Sequence, residues 1–211
     1  MRVSAPPSFA RQLIVPHLPA FKDSNPHILL NLEVIAPVPN APLTGADVEI
    51  RFGDTELNRS AMLMHDVVTP MASPAYLQQA RIRCRTPRDL ENLSLLNMPQ
   101  DEWAVWFEAA GISTNPSLNG SVFADLGMTY EAAARGQGIA LCRPSLLGEW
   151  LSRDALTPLF DIYGIPAGGY YALTNSNQEA ALSFFAWLKN LCCSAAKQNL
   201  DTIRKRFQSA S

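Results

Sequence analysis

Phe123-Ala-Asp-Leu-Gly-Met-Thr-Tyr-Glu-Ala-Ala-Ala-Arg-Gly-Gln-Gly-Ile-Ala-Leu141 reads as a helix, a glycine stop and a strand. Asp125 can cap a helix carrying Met128, Ala132 and Arg135 at helical spacing, and Gly136 can take the left-handed conformation that closes one. Gln137-Gly138 then turns the chain into Ile139-Ala140-Leu141, a short apolar strand. In a parallel α/β sheet, helix amino termini and strand carboxyl ends gather at one edge, where backbone N–H groups can hold an anionic ligand. An ordinary helix-to-strand turn has the same sequence, so the stretch speaks for fold before function. Nothing in it looks catalytic.

Working outward, the amino-terminal half reads as β-α-β-loop-β. Arg2-Val3-Ser4-Ala5 is a first strand; Pro6-Pro7-Ser8 leads into a helix with Phe9 and Leu13 on one side, Ser8 its natural N-cap, kinked or broken near Pro16. Ile28 to Ile35 is a second strand. Pro37, Pro39 and Pro42 exclude a regular helix before Val48-Glu-Ile-Arg-Phe52, which alternates like a strand. Leu63 to Thr69 is an extended connection, and Ser73-Pro-Ala-Tyr-Leu77 opens a short helix with proline at its first position. Short helical segments follow at Thr86–Leu90, Asp101–Ala110 and Pro144–Leu151, with strands at Ser94–Asn97 and Gly168–Leu173. Ala180 to Leu191 is an amphipathic helix with Phe184, Phe185, Trp187, Leu188 and Leu191 as its apolar set.

Composition narrows the function. At 211 residues and 47% hydrophobic content the chain can bury one large core or two smaller ones. Net charge is −2, so no chain-wide basic field holds a phosphate backbone; the basic run Arg204-Lys205-Arg206 reads as a solvated helix end. Cys84, Cys142, Cys192 and Cys193 show no C-x-x-C spacing and read as reduced, structural thiols. No stretch of about 18 apolar residues could span a bilayer, and the amino terminus lacks a signal peptide's apolar run, so a soluble cytoplasmic protein is expected. His17, His27 and His65 are far apart and have no ligand partners at metal-binding spacing. No G-x-S-x-G elbow, P-loop or H-E-x-x-H motif occurs, and no nucleophile stands with a base, so neither an enzyme nor a cofactor is expected. Trp103, Trp106 and Phe107 share a helix face and read as core.

Several segments, in order, resemble a known family. They are Val3-Ser-Ala-Pro-Pro-Ser-Phe-Ala10, Val15-Pro-His-Leu-Pro19, Ala46-Asp-Val-Glu-Ile-Arg-Phe-Gly53, Asp101-Glu-Trp103 with Trp106-Phe107 and Ala109-Ala-Gly111, and the Phe123 to Leu141 unit. Together they resemble the effector-binding domain of LysR-type transcriptional regulators, in the branch of the glycine-cleavage activator and the β-lactamase regulator. The resemblance implies two Rossmann-like α/β lobes joined by two crossing strands, like a type 2 periplasmic binding protein. Lobe one would comprise 1–67 and 168–194, lobe two 68–167, with 195–211 a C-terminal helical tail.

The same resemblance implies an effector-binding and dimerisation domain that senses a small anionic metabolite in an interlobe cleft. The cleft would be lined by Pro7, Ser8, Phe9, Ile35, Met98, Gln100, Phe123, Asp125 and Tyr170. Ile35 stands where the family commonly has a small hydroxyl residue. Tyr170 and Tyr171 point to opposite faces of an extended strand, and Tyr170 is the one expected to offer its hydroxyl. Partners would be a second copy, as homodimer or tetramer, and DNA only through an amino-terminal winged helix-turn-helix, to which nothing here corresponds; Met1 directly before the first strand suggests an excised domain. A solute-binding protein of the same fold and a small α/β enzyme using the cleft are the competing classes.

Overall fold

The computed structural model describes residues 1–36, 43–54, 61–79, 84–99, 102–113 and 119–208. The chain falls into two units: Met1–His65 with Ala167–Lys197, and Asp66–Pro166 with Gln198–Ser211. The architecture is α/β with one mixed sheet in each unit, as expected for a type 2 periplasmic-binding-protein-like fold. The chain leaves unit 1 after one extended segment and returns before another.

Unit 1 is built on five strands, β1 Arg2–Ala5, β2 Asn31–Val34, β3 Val48–Asp54, β4 Met62–Met64 and β9 Gly168–Thr174, in the order β2-β1-β3-β9-β4. β1 is parallel to β2 and β3, while β9 runs antiparallel to β3 and β4. A helical run follows β1 at once: α1 Pro7–Phe9, a π-helical stretch Ala10–Ile14, then α2 Val15–Ser24. Phe9, Leu13, Ile14 and Phe21 are buried beneath it.

Of the kink or break expected near Pro16, the break does not occur. The helix widens to a π-helix just before the proline, and Val15 N–H donates to the Ala10 carbonyl. Widening relieves the clash between a proline ring and the preceding turn, and Pro16 and Pro19 both lie on the exposed side. The second expected strand is also shorter than Ile28–Ile35, because its pairing with β1 runs only from Asn31 to Val34. Thr69, read as the end of an extended connection, instead opens a fully buried strand.

Unit 2 carries β5 Thr69–Ala72, β6 Leu95–Leu96, β7 Ile139–Cys142 and β8 Thr157–Pro158 in the order β6-β7-β5-β8. Its helices are α3 Pro74–Gln79, α4 Trp103–Ala109, α5 Leu126–Ala134 and α6 Gly148–Ser152, with 3-10 turns at Pro87–Asn92 and Pro144–Leu146. The single helix expected over Pro144–Leu151 is thus two short pieces. Trp103, Trp106 and Phe107 are buried as expected, with Leu90, Leu95, Ile139 and Phe160 around them.

The Phe123 to Leu141 stretch forms the expected unit. The Asp125 carboxylate accepts the Met128 N–H at 3.2 Å and caps α5, and Gly136 closes the helix with φ +79°. Gly138 has a different requirement: a Cβ there would lie 2.6 Å from the Ser94 carbonyl oxygen. That close approach lets Ile139 N–H bond the same oxygen at 2.8 Å and start the parallel pairing of β6 with β7. Met128 does not join the buried face; Thr129, Tyr130, Ala132 and Ala133 form it.

The amphipathic helix expected over Ala180–Leu191 and the helical tail expected from 195 are one helix. α7 runs from Glu179 to Gln208 without interruption, seventeen positions beyond Leu191.

Candidate functional site

In unit 1 the sequence-predicted residues converge on one edge of the sheet. Pro7, Ser8 and Phe9 follow directly on the carboxyl end of β1, and Ile35, one residue past β2, donates its N–H to the Ala5 carbonyl at 2.9 Å. Tyr170 pairs with Phe52 near the carboxyl end of β3, which brings it to the same edge. Its ring lies 4.8 Å from Phe9 and 5.1 Å from Phe52, centroid to centroid. Carboxyl ends of parallel strands are where open α/β sheets gather ligands. Tyr170 is buried and Tyr171 only half-buried, so the two do take opposite faces.

Ser8 is not the N-cap. Pro6 holds that position and Pro7 the first helical one, since a proline ring presets the helical φ and needs no N–H partner there. Ser8 therefore lies inside the first turn, 4% exposed, with Phe9 fully buried beside it.

In unit 2, Met98, Phe123 and Asp125 gather at the end of β6. Asn97 pairs with Val122 in a parallel bridge, and Phe123 N–H donates to the Asn97 carbonyl at 2.9 Å. The Asp125 main-chain carbonyl accepts both the N–H and the hydroxyl of Thr129, at 3.1 and 3.0 Å. Met98, Glu102, Trp103, Leu126 and Thr129, with Leu96 and Leu141, line a cavity of about 30 Å³. That is room for a water or two, not a metabolite. Gln100 lies outside the described residues, as do Pro37 to Pro42.

Sequence reasoning missed three buried polar groups. The Arg143 guanidinium, 3% exposed, donates from Nη2 to both carboxylate oxygens of Glu102 at 2.6 Å. Asp66 accepts the Val67 N–H at 2.9 Å, the Ser145 N–H at 3.1 Å and the Ser145 hydroxyl. Glu49, fully buried in β3, accepts from Thr44 N–H and Oγ1 at 2.9 and 3.0 Å and from Arg51, while Thr44 Oγ1 also meets Ser4 Oγ at 3.0 Å. Each arrangement gives a buried ionisable group hydrogen-bond partners, which is a structural task. The polar residue in an otherwise apolar strand or turn was the available signal.

Asp66 has a pH consequence. Burial pushes its carboxyl above the usual aspartate range, against the Ser145 hydrogen bonds, the Arg143 charge and the Val67 N–H, which all favour the ion. A folded-state value above the unfolded one means that the native state binds the extra proton. Its contribution to stability is therefore complete below the ordinary aspartate value and is lost as pH rises through the raised one. In urea unfolding followed from pH 3 to 8, subtracting the Asp66→Asn curve from the wild-type curve should leave a limb that falls with pH. A flat or rising difference would contradict this.

Among the described residues, no group of three or more His, Cys, Asp or Glu could hold a metal ion, and no helix is long and apolar enough to cross a membrane. The four cysteines are unbridged; burial holds the Cys142 thiol well above its ordinary value and that of Cys84 at about 11. Neither Cys84 nor Cys142 is the kind of thiolate that redox chemistry uses.

Comparison with known proteins agrees with this architecture. The family model described as LysR substrate binding domain matches residues 1–193. The HTH-type transcriptional activator AmpR of Rhodobacter capsulatus is 30% identical over 196 residues, 89% of this chain and 65% of its own length. The carbapenem-hydrolyzing beta-lactamase transcriptional activator of Enterobacter cloacae is 29% identical over 189 residues, 86% of this chain and 62% of its own. The chain thus spans a little under two thirds of these relatives.

Among solved structures, the effector domain of AmpR from Pseudomonas aeruginosa aligns with a TM-score of 0.79 and 26% identity over 95% of this chain and 98% of that one. The AmpR effector binding domain of Citrobacter freundii gives 0.75 and 26% over 92% and 98%. These relatives are named as regulators of transcription, not enzymes, and they lie on the β-lactamase regulator side of the branch that the motifs suggested. With the family model covering all but the last turns of the chain, and both solved effector domains following the same two-sheet fold, the chain belongs to the LysR substrate binding domain family.

Proposed function

We propose that this domain senses a small anionic metabolite in a cleft between its lobes and serves a LysR-type transcriptional regulator. The observation that carries the reading is the convergence of Pro7, Ser8, Phe9, Ile35 and Tyr170 on the carboxyl edge of β1, β2 and β3. The first turn of a long helical run supplies N–H groups there, which favour an anionic group. Asp125 and Met98, in unit 2, are the remaining candidates for effector contact.

Binding would shift the lobe or dimer arrangement of an intact regulator, acting in the cytoplasm as a homodimer or tetramer and reaching DNA through an amino-terminal domain. The test is a thermal-shift screen of amino acids, organic acids and cell-wall fragments, the last included because relatives are named for β-lactamase control. A stabilising compound should lose its effect in Ser8→Ala and in Tyr170→Phe. A hit indifferent to both changes would sink the site assignment, and turnover of the hit would move the reading to an enzyme.

A further inference from the structure

The small cavity beside Met98 lies wholly within unit 2, where β6 and β7 meet the start of α4 and the first turns of α5. Most of its wall is apolar, from Leu96, Met98, Leu126 and Leu141. The few polar groups that interrupt such a wall decide what the space can hold.

Those groups accept hydrogen bonds. Glu102 lines the cavity and keeps 21% of its side chain exposed, whereas the Arg143 guanidinium paired with it is 3% exposed and is not among the lining residues. The ion pair thus presents its negative member to the cavity and holds its positive member behind. Thr129, 2% exposed, spends its hydroxyl proton on the Asp125 carbonyl at 3.0 Å, and its oxygen remains an acceptor. Trp103, the one N–H-bearing side chain among the described residues of the wall, gives its indole proton to the Leu96 carbonyl at 3.1 Å. No Lys, Arg or His stands among those residues.

A space lined this way discriminates by charge. A carboxylate or phosphate would meet Glu102 as a like charge, with no side-chain donor in return. An ammonium group brings three donors and the opposite charge, and charge-assisted hydrogen bonds are the strong ones. At about 30 Å³ the cavity admits the head of a primary amine and not its body. We propose that it is an ammonium subsite, with the Glu102 carboxylate and Thr129 Oγ1 as acceptors. The subsite stands on unit 2 alone and does not depend on which anion unit 1 takes.

Methylammonium chloride is the probe, titrated into the unaltered chain against sodium chloride of equal ionic strength. The methyl signals of Met98, Leu126 and Leu141, followed by NMR, should shift saturably. Methanol, of the same size but uncharged, should bind at least about tenfold more weakly. Glu102→Gln keeps the length of the side chain and removes its charge; Thr129→Val keeps the shape and removes the hydroxyl oxygen. Each should weaken methylammonium binding by about tenfold. Circular dichroism checks that both variants fold, and Thr129→Val decides alone if Glu102→Gln does not. No saturable shift, equal affinity for methanol, or undiminished affinity in a folded variant would overturn the proposal. Failure of the effector screen would leave it standing, because the probe is not the effector.

Discussion

Replacing Trp106 with alanine is expected to lower the unfolding free energy by about 3–5 kcal/mol, the range for removing a large buried aromatic side chain. Trp106 is fully buried, and its ring centre lies 5.2 Å from Phe107, 5.7 Å from Phe160 and 6.4 Å from Trp103. Alanine would leave a cavity that three aromatic neighbours cannot close by small rotations, because protein interiors are packed near crystal density. The indole N–H also donates to the Ile162 carbonyl at 3.0 Å, so that acceptor loses its donor too. Trp106→Phe should cost less, since it keeps most of the packing and gives up chiefly the hydrogen bond, worth about 1 kcal/mol. Urea unfolding followed by far-ultraviolet circular dichroism measures both, and a loss below about 1 kcal/mol in Trp106→Ala would contradict this picture of the unit 2 core.

The second large effect is asymmetric. Glu102→Ala should destabilise by about 3 kcal/mol, whereas Arg143→Met should cost roughly half as much. The guanidinium is 3% exposed and the carboxylate 21%. Removing the carboxylate strips a fully desolvated cation of a bidentate countercharge. Removing the cation leaves Glu102, which water already reaches, and Asp66, whose carboxyl can take up a proton, while methionine refills part of the arginine's volume. Equal losses in the two variants, or a larger loss in Arg143→Met, would contradict the burial argument. Since Glu102 also lines the small cavity beside Met98, Glu102→Ala should disturb the surroundings of that candidate residue as well.

What the sequence carried plainly was local. Asp125, Gly136 and Gly138 act within one turn of where they stand, so the α5 to β7 unit could be read from its own residues. The aromatic spacing of α4 was legible for the same reason, since a helix puts positions three and four apart on one face. Pro16 marks an irregular turn without breaking the helix, because proline's local cost is met when the preceding turn widens to a π-helix on an exposed face. Ser8 misled because Pro7 already starts the helix. The ion pair Glu102 to Arg143 joins residues 41 apart, and the Asp66 to Ser145 pair residues 79 apart, so no local pattern announces either. The expected helical tail was legible but its contacts were not, because Asn199 and Arg206 look like solvent-facing polar residues until the Pro144, Leu151 and Leu156 carbonyls they donate to are known.

The candidate site divides along the same line. Its chain positions came from the order of motifs, and the reason five of them share an edge came from the parallel pairing of β1 with β2 and β3 and, for Tyr170, the antiparallel pairing of β9 with β3. The most direct measurement is a calorimetric titration of the strongest compound from the screen into the unaltered domain, Ser8→Ala, Tyr170→Phe and a control, Leu182→Ala, exposed on α7. Phenylalanine keeps the ring against Phe9 and Phe52, so Tyr170→Phe isolates the hydroxyl. The account predicts at least about a tenfold loss of affinity, about 1.4 kcal/mol, in each of the first two variants and none in the control. Unchanged affinity in both Ser8→Ala and Tyr170→Phe would contradict it.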